Sequence, residues 1–292
     1  MKSKAQVFLI VGLGLIGGSL AAAIRKRFPK ARVLAASRNP ESIRFAKKKK
    51  WIHDGFFRLD QALFDADFIF VCTPVDTIPE LLSKIDRWAK PKTIVTDAGS
   101  TKSEIVRSAD RRRFKNIRFI GSHPLAGSHL TGVRHAKANL FERAFVFVTP
   151  TQKSNPSAVQ AISKFWKQLR MNVRILSPET HDALVCEISH LPHAIASVLM
   201  NTVSQNAGRY AASGFLDTTR IAEGDPKLWE PIFLTNRKNL ISSLSRFQLK
   251  LLKLQNALKK NSHGEVHRIL GEASRKRVGL KRAVPTHLTV AS

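Results

Sequence analysis

The residues with chemistry in reach are a serine, several histidines and an arginine, each at the edge of an apolar run. Ser100 stands in Asp97-Ala98-Gly99-Ser100-Thr101-Lys102, directly after a β-favouring stretch. There it can present a hydroxyl at the C-terminal edge where open α/β sheets bind ligands. It can equally cap a helix over 101–108, and the two roles are compatible. His123 lies in Gly121-Ser122-His123-Pro124-Leu125-Ala126-Gly127-Ser128-His129, which reads as a loop after another strand edge. Imidazole titrates near neutral pH, so a His beside such a cleft can accept the proton of an alcohol while hydride leaves its carbon. A purely structural His fits the loop equally well. Ser189-His190-Leu191-Pro192-His193 puts two His three apart on one face of a helix that Pro192 is expected to kink. With no third ligand in view, these read as core or substrate-contacting side chains. Arg220, in Thr218-Thr219-Arg220-Ile221-Ala222, can clamp a carboxylate bidentately or serve as an ion-pair partner or a helix C-terminal charge. His123, His129 and His135 recur every six residues, which is neither a helical nor a hairpin ligand pattern. No Cys or paired carboxylate completes them, so no metal site is expected.

Oxidising an alcohol requires a hydride acceptor, and the N-terminal stretch has the form of a site for one. Val7 to Val11 is apolar and β-favouring, breaks at Gly12-Leu13-Gly14-Leu15-Ile16-Gly17-Gly18-Ser19, and resumes as Leu20-Ala21-Ala22-Ala23-Ile24. Gly12, Gly14 and Gly17 fall on the G-x-G-x-x-G spacing of a strand, turn and helix that cradle a dinucleotide. The first glycine lets the chain turn, the second lets backbone approach the pyrophosphate and the third lets helix pack on strand. Leu15 and Ile16, inside the turn, join the expected cofactor contacts, as do Thr73 and Pro74 at the end of a later strand. At the end of the second strand a carboxylate would hold the ribose hydroxyls of NAD. Here Ser37-Arg38 stands there, twenty residues after Gly17, with no acid until Glu41. A hydroxyl and a guanidinium suit a 2′-phosphate, so NADP is expected, with NAD possible if Arg38 is simply a surface residue.

Elements that could hold these groups follow from the periodicity. Short apolar runs at 31–36, 67–72, 92–97, 117–120, 144–148 and 173–176 alternate with helical stretches, which predicts an α/β fold with a Rossmann-type, doubly wound parallel sheet. From His181 onward no convincing strand appears, and helices are expected over 181–206, 228–258 and 264–278. The boundary falls near Ser177: residues 1–177 form the dinucleotide-binding domain and 178–292 an all-helical domain for substrate and dimerisation. Its long apolar helices exceed what one small shell can cover, so a homodimer through them is expected.

Bulk properties narrow the field further. At 292 residues and 43% hydrophobic composition the chain has ample core for two domains. Cys72 and Cys186 sit inside apolar segments and read as buried thiols of a cytoplasmic protein. Met1 to Lys4 followed by apolar residues through Ile24 superficially resembles a leader peptide, but glycines interrupt the run and strand–helix alternation continues beyond it. No other stretch approaches an uninterrupted membrane span. The formal net charge of +28 invites a nucleic-acid reading. The cations are dispersed and lack interleaved aromatics for base stacking, so neither nucleic acid nor membrane is an expected partner.

Taken together, Gly12 to Ser19, Thr73-Pro74-Val75, Asp97 to Lys102, His123 to Gly127, Ser189 to His193 and Thr219 to Trp229 resemble the prephenate/arogenate dehydrogenase family of tyrosine biosynthesis. The resemblance implies oxidation of a ring alcohol of prephenate or arogenate coupled to decarboxylation. It gives His123 the role of taking the hydroxyl proton, with Ser100 orienting it, and assigns His193, supported by His190 and Ser189, to the substrate pocket. Arg220 then corresponds to the residue that binds the ring carboxylate. With no mutase segment expected ahead of the nucleotide domain and no room expected for a regulatory module behind the helical one, any feedback by tyrosine would have to act at the active site. An alternative β-hydroxyacid-type dehydrogenase would need a lysine within 181–206, where there is none; a second alternative is a non-enzymatic cofactor-binding protein with a nucleic-acid-binding surface. Two positions depart from the family pattern: Ser37-Arg38 replaces the common acidic residue, and His129 replaces an acid placed to meet the amine of arogenate. The second departure favours prephenate and leaves arogenate open. His129→Glu is expected to raise kcat/KM for arogenate relative to prephenate, and an unchanged ratio removes that reading.

Overall fold

The structure, a computed structural model, describes residues 5–63, 65–127 and 130–283, the side chains of 281–283 excepted. In chain order it places β1 (Val7–Val11), α1 (Leu15–Arg27), β2 (Arg32–Ala36), α2 (Pro40–Lys48), β3 (Asp54–Phe56), β4 (Phe68–Val71), α3 (Ile78–Trp88), β5 (Thr93–Asp97), α4 (Ser103–Arg111), β6 (Ile117–Pro124), β7 (Phe145–Thr149), α5 (Pro156–Gln168) and β8 (Asn172–Ile175). The helices α6 (Pro178–Val185), α7 (Leu191–Thr202), α8 (Gln205–Gly208), α9 (Ser213–Thr219), α10 (Pro226–Thr235), α11 (Arg237–Lys259) and α12 (His263–Ala283) follow. A π turn over Cys186–His190 joins α6 to α7.

The eight strands form one sheet in the order β3-β2-β1-β4-β5-β6-β7-β8. Strand order reverses at β1 and β4, the switch point where α/β sheets open a ligand crevice. β1 shows why the sheet is buried on both sides: Phe8 and Ile10 face one core cluster with Phe70, Phe165 and Trp166, while Leu9 and Val11 face another with Ile69, Ile78 and Leu82. Alternate residues entering opposite cores require a nearly continuous apolar run, as found in strands covered by helices. Burying each such side chain contributes roughly 1.5–3 kcal/mol.

Two features differ from the expected purely parallel sheet. β6 and β7 pair antiparallel, whereas β7 and β8 return to parallel pairing. β6 also runs four residues beyond the apolar stretch 117–120, through Gly121, Ser122, His123 and Pro124. These residues are poor strand formers, and pairing with Val146 to Thr149 supplies the ladder that their own propensities would not. β3, missing from the sequence expectation, is a three-residue edge strand containing Gly55.

The chain divides into two compact units, 1–236 and 237–292, so α6 to α10 belong with the sheet. Within the first unit α10 packs on the 3-10 turn Val75–Thr77 after β4, and Thr101 and Thr235 hydroxyls meet at 2.9 Å. The continuous helix expected over 228–258 is broken at Asn236, and α11 starts anew at Arg237. In the second unit α11 and α12 form a helical hairpin tied by Lys253 and Glu265 at 3.4 Å. By length and composition alone, the run Pro178–Thr202 would pass as a membrane span, with mean hydropathy 1.4 in its most apolar window. That run nonetheless carries His181, Asp182, His190 and His193, all buried inside the protein.

Gly12 and Gly17 show how tightly the first turn is built. Gly12 has φ +98°, and a Cβ there would lie 2.7 Å from the Cys72 carbonyl oxygen; a Cβ on Gly17 would lie 1.9 Å from the Gly12 carbonyl oxygen. Backbone cannot yield as a flexible side chain can. Gly17→Ala is expected to destabilise the protein by about 2 kcal/mol or more and to abolish thermal stabilisation by added NADP or NAD. Urea unfolding and a thermal shift with each nucleotide measure both effects; a wild-type response to nucleotide would contradict this packing.

Candidate active site

At the C-terminal edge of the sheet three chain segments converge on a buried ion pair. Asp97, the last residue of β5, and Lys102, five residues on, are both fully buried and bonded to each other. Lys102 Nζ also donates to the Ser122 carbonyl at 3.0 Å, and Asp97 Oδ1 accepts from the Ser122 amide at 3.2 Å. Burial pushes the Lys102 amine below its usual range while the Asp97 carboxylate opposes that shift. Gly121 makes room for this arrangement, since a Cβ there would meet Val106 at 2.9 Å and the Lys102 stem at 3.5 Å. The Ser122 hydroxyl donates to the Asp97 carbonyl at 2.7 Å and accepts from Trp166 Nε1 at 3.2 Å. The core of α5 therefore braces the same point.

His123 is the next residue along β6, half-buried and extending past the end of β5. It is the last but one residue of a strand, paired with Phe147, and not part of a loop. Its Nδ1 lies 2.9 Å from His181 Nε2, and His181 Nδ1 lies 2.8 Å from Asp182 Oδ1. Asp182 in turn accepts from the Lys102 amide at 2.7 Å and the Ser103 amide at 2.8 Å. Those amides begin α4, whose own N-cap residue, Lys102, makes no side-chain cap. Ser100 is thus not the cap of this helix; a carboxylate from α6 takes that place, where the helix dipole favours negative charge.

The remaining histidines form a second layer. His190 Nδ1 lies 3.1 Å from Asn236 Nδ2, which also donates to the Asp182 carbonyl at 2.8 Å. His193 stacks on Trp229 with centroids 3.6 Å apart and planes 12° from parallel, and Phe233 meets its edge. Gly224 is required beside this stack, because a Cβ would lie 2.4 Å from Trp229 Nε1 and 2.8 Å from His193 Cε1. His193 Nδ1 is buried without a hydrogen-bond partner among the described residues. Pro192 does not kink α7; it stands in the first turn, where a missing amide is tolerated, and the π turn immediately ahead takes up the irregularity.

Other expected positions are placed but not joined to this cluster by any hydrogen bond among the described residues. Ser100 and Ser189 are half-buried and Arg220 is exposed on a 3-10 turn that packs against α7. His129 lies outside the described residues. At the glycine turn, a Cβ on Gly14 would meet nothing within 4 Å, and α1 begins with neither a side-chain cap nor an acidic residue in its first turn. Leu15 and Ile16 are half-exposed there. That open, uncapped N-terminus fits a phosphate-bearing dinucleotide. Ser37 follows β2 with Arg38 exposed beside it, and the Ser37 hydroxyl accepts from the Asn39 amide at 3.3 Å. Thr73 bonds Thr77 through their hydroxyls at 2.8 Å, with Pro74 leading into the turn between them. Burial and Asp97 push the half-buried Cys72 thiol up to about 12, which disfavours the thiolate form. Among the described residues no group of three metal-ligating side chains occurs.

His181, Asp182, Asn236 and Trp229, together with the Asp97–Lys102 pair and Ser122, are site residues to which the sequence alone assigns no role. A signal was present for the first two. Four residues after them come Val185 and Cys186, so both polar side chains share a helix face with buried apolar ones.

Family models match nearly the whole described chain. "Prephenate dehydrogenase, nucleotide-binding domain" covers residues 20–175 and "Prephenate dehydrogenase, dimerization domain" residues 177–272. The chain belongs to the prephenate dehydrogenase family. It is similar to the prephenate dehydrogenase of Bacillus subtilis (strain 168), 32% identical over 98% of this chain and 80% of that protein. Among solved structures, the Aquifex aeolicus prephenate dehydrogenase in complex with hydroxyphenyl propionate and NAD+ superposes with a TM-score of 0.88 at 31% identity, covering 96% of this chain and all of that one. The arogenate dehydrogenase of Synechocystis gives a TM-score of 0.80 at 30% identity over 94% of this chain and all of its own. The prephenate dehydrogenase family assignment makes the protein an oxidoreductase with a nicotinamide-nucleotide domain, as the sequence resemblance implied.

All four site histidines, His123, His181, His190 and His193, have their pKa lowered, with burial the largest cause in each case, and His190 falls from 6.5 to about 4. A depressed folded-state value means that protons favour the unfolded chain. This share of stability is complete above pH 6.5 and falls as pH drops toward 4. For His190 alone the loss is on the order of 3 kcal/mol. Urea unfolding from pH 7.5 to 4.5 should show the wild type losing stability more steeply than His190→Gln; parallel curves would contradict a neutral, buried His190.

Proposed function

We propose that this prephenate dehydrogenase family member oxidises the ring alcohol of prephenate with loss of carbon dioxide, preferring NADP, and that His123 is its base. The observation that carries this reading is the position of His123. It stands at the sheet edge that also carries Gly12, Thr73 and Ser100, with Nδ1 bonded to His181 and Nε2 without a hydrogen bond among the described residues. A bound nicotinamide supplies the hydride acceptor. His123 takes the hydroxyl proton as hydride leaves the carbon that bears the hydroxyl; the ring–carboxylate bond then breaks, carbon dioxide leaves, and the electron pair restores aromaticity as a phenolate that takes back the proton. Burial lowers the His123 pKa and so keeps the ring neutral, the form that can accept a proton. Ser100 is the reading for the hydroxyl's second partner, and Arg220 for a substrate carboxylate. Stacked His193 and Trp229, with His190 and Ser189 behind, provide an aromatic wall against which a six-membered ring can lie.

Support for NADP comes from Ser37 and Arg38 at the end of β2, where no carboxylate repels a 2′-phosphate. The substrate assignment rests on His129 in place of an acid, with arogenate the alternative. Residues 1–177 are taken as the nucleotide-binding segment and 178–292 as the segment for substrate and dimerisation, whose first helices, α6 to α10, pack in the same compact unit as the sheet. Exposed Leu249, Leu252 and Leu258 on α11 and Leu270 on α12 supply the apolar face for a second copy of the chain. A cytoplasmic location accords with the free cysteines.

Nicotinamide reduction with each substrate against each nucleotide tests this reading. Prephenate with NADP should be fastest. His123→Ala should lower kcat by about 100-fold or more with nucleotide affinity unchanged, and a near-normal rate would overturn the base assignment. Arg38→Ala should lower kcat/KM for NADP by roughly tenfold or more while sparing NAD, and an equal effect on both would remove the NADP reading.

A further inference from the structure

Behind His123 the structure holds two groups that the proton transfer described above does not use. Asp182 Oδ1 and His181 Nδ1 are 2.8 Å apart, and His181 Nε2 and His123 Nδ1 are 2.9 Å apart. His181 and Asp182 are at most 1% exposed. We propose that His181 and Asp182 are positioning residues for His123, a carboxylate–imidazole–imidazole relay that fixes it as the Nδ1–H tautomer and so reserves Nε2 as the base. The proposal rests on the reading of His123 as that base.

The tautomers follow from donor counting. An ionised carboxylate only accepts, so His181 Nδ1 must carry a hydrogen, and a neutral His181 then has a lone pair on Nε2. His123 Nδ1 must therefore donate, which leaves its Nε2 without a hydrogen. Asp182 stays ionised because it accepts from the Lys102 and Ser103 amides at the positive end of α4 and from His181. His123 and His181 are both held neutral by burial, and their pKa values are lowered. The charged or titratable groups facing them are Lys102 and Asp97 beneath β6, Asp182 on α6 and His190 on the π turn. The Lys102–Asp97 pair is internally neutralised, which leaves the Asp182 carboxylate as the uncompensated charge.

The step balances with one proton. It passes from the substrate hydroxyl to His123 Nε2, and no proton leaves Nδ1. The resulting imidazolium donates to His181 through a bond that has become charge-assisted, and His181 is itself polarised by Asp182. The logic is that of a catalytic triad, in which a carboxylate holds an imidazole in the required tautomer, with a second imidazole interposed. Phe147 meets the His181 ring edge-on at 5.5 Å and 83°, so the ring is also locked by packing.

The test separates orientation from scaffolding. Nitrogen-15 NMR of histidine-labelled protein at pH 7.5 reads the tautomer directly: His123 should show a protonated Nδ1 and an unprotonated Nε2. Finding the Nε2–H form in the wild type would overturn the proposal. His181→Leu should shift His123 toward the Nε2–H form and lower kcat roughly 10- to 100-fold with a change in substrate KM below about threefold. The acid limb of its kcat–pH profile should move to lower pH, because the imidazolium loses its acceptor. His181→Gln, whose amide oxygen can accept from Nδ1, should recover much of the rate and return the limb toward the wild-type position. Equal losses in both variants with an unmoved limb would make His181 a scaffold and overturn the relay. Should His181→Leu fail to fold, the wild-type tautomer and the His181→Gln profile still decide. Near-normal turnover in His123→Ala would sink the parent reading instead, independently of the tautomer found.

Discussion

The Asp97–Lys102 ion pair is the constraint around which the site is assembled. Two opposite charges with no solvent contact are costly to bury unless every remaining valence is filled. Here backbone supplies the further partners: Lys102 reaches the Ser122 carbonyl, and Asp97 receives the Ser122 and Gly99 amides. Each of those contacts joins the end of β5 to β6 or to the turn before α4. The pair therefore ties the strand that carries His123 to the helix whose first amides hold Asp182. Loss of either partner would leave a lone buried charge, so this junction has one stable arrangement.

Around that junction the polar groups are satisfied in an order that runs from backbone to side chain. Helix α4 lacks a cap of its own and borrows Asp182; Asp182 orients His181; His181 meets His123. Local secondary structure, tertiary docking of α6 and the state of a reactive ring are thus one set of hydrogen bonds. His193 follows a different logic. It has an aromatic partner in Trp229 and, among the described residues, no polar partner for Nδ1, which leaves a buried nitrogen open to a polar ligand.

What was legible in the sequence was whatever local rules determine. The Gly12, Gly14 and Gly17 turn is dictated by backbone sterics, and the β1, β4 and β5 strands by unbroken apolar runs. What was hidden depended on partners distant along the chain. Gly121 to Pro124 reads as loop because its propensities are those of loop, and strand geometry arises only when β7 pairs with it antiparallel. Ser100 reads as a cap because it precedes a helix; nothing nearby reveals that Asp182, eighty residues beyond Lys102, occupies that place. His123 was found because its residue type is chemically suggestive. His181 escaped notice because its importance lies in one contact, made across 58 residues.

The π turn at Cys186–His190 has a consequence for how the histidines are phased. A π turn holds one residue more than an α turn, and each residue advances the helix by about 100°. His181 and Asp182 precede the turn and His193 follows it, so the extra residue sets the angle between their faces. In a regular helix with that residue removed, a ring aligned with Trp229 would be swung by more than a quarter-circle relative to the groups that serve His123. The irregularity works as an angular offset, letting one helical rod address two neighbours that a uniform pitch would not bring onto its faces together.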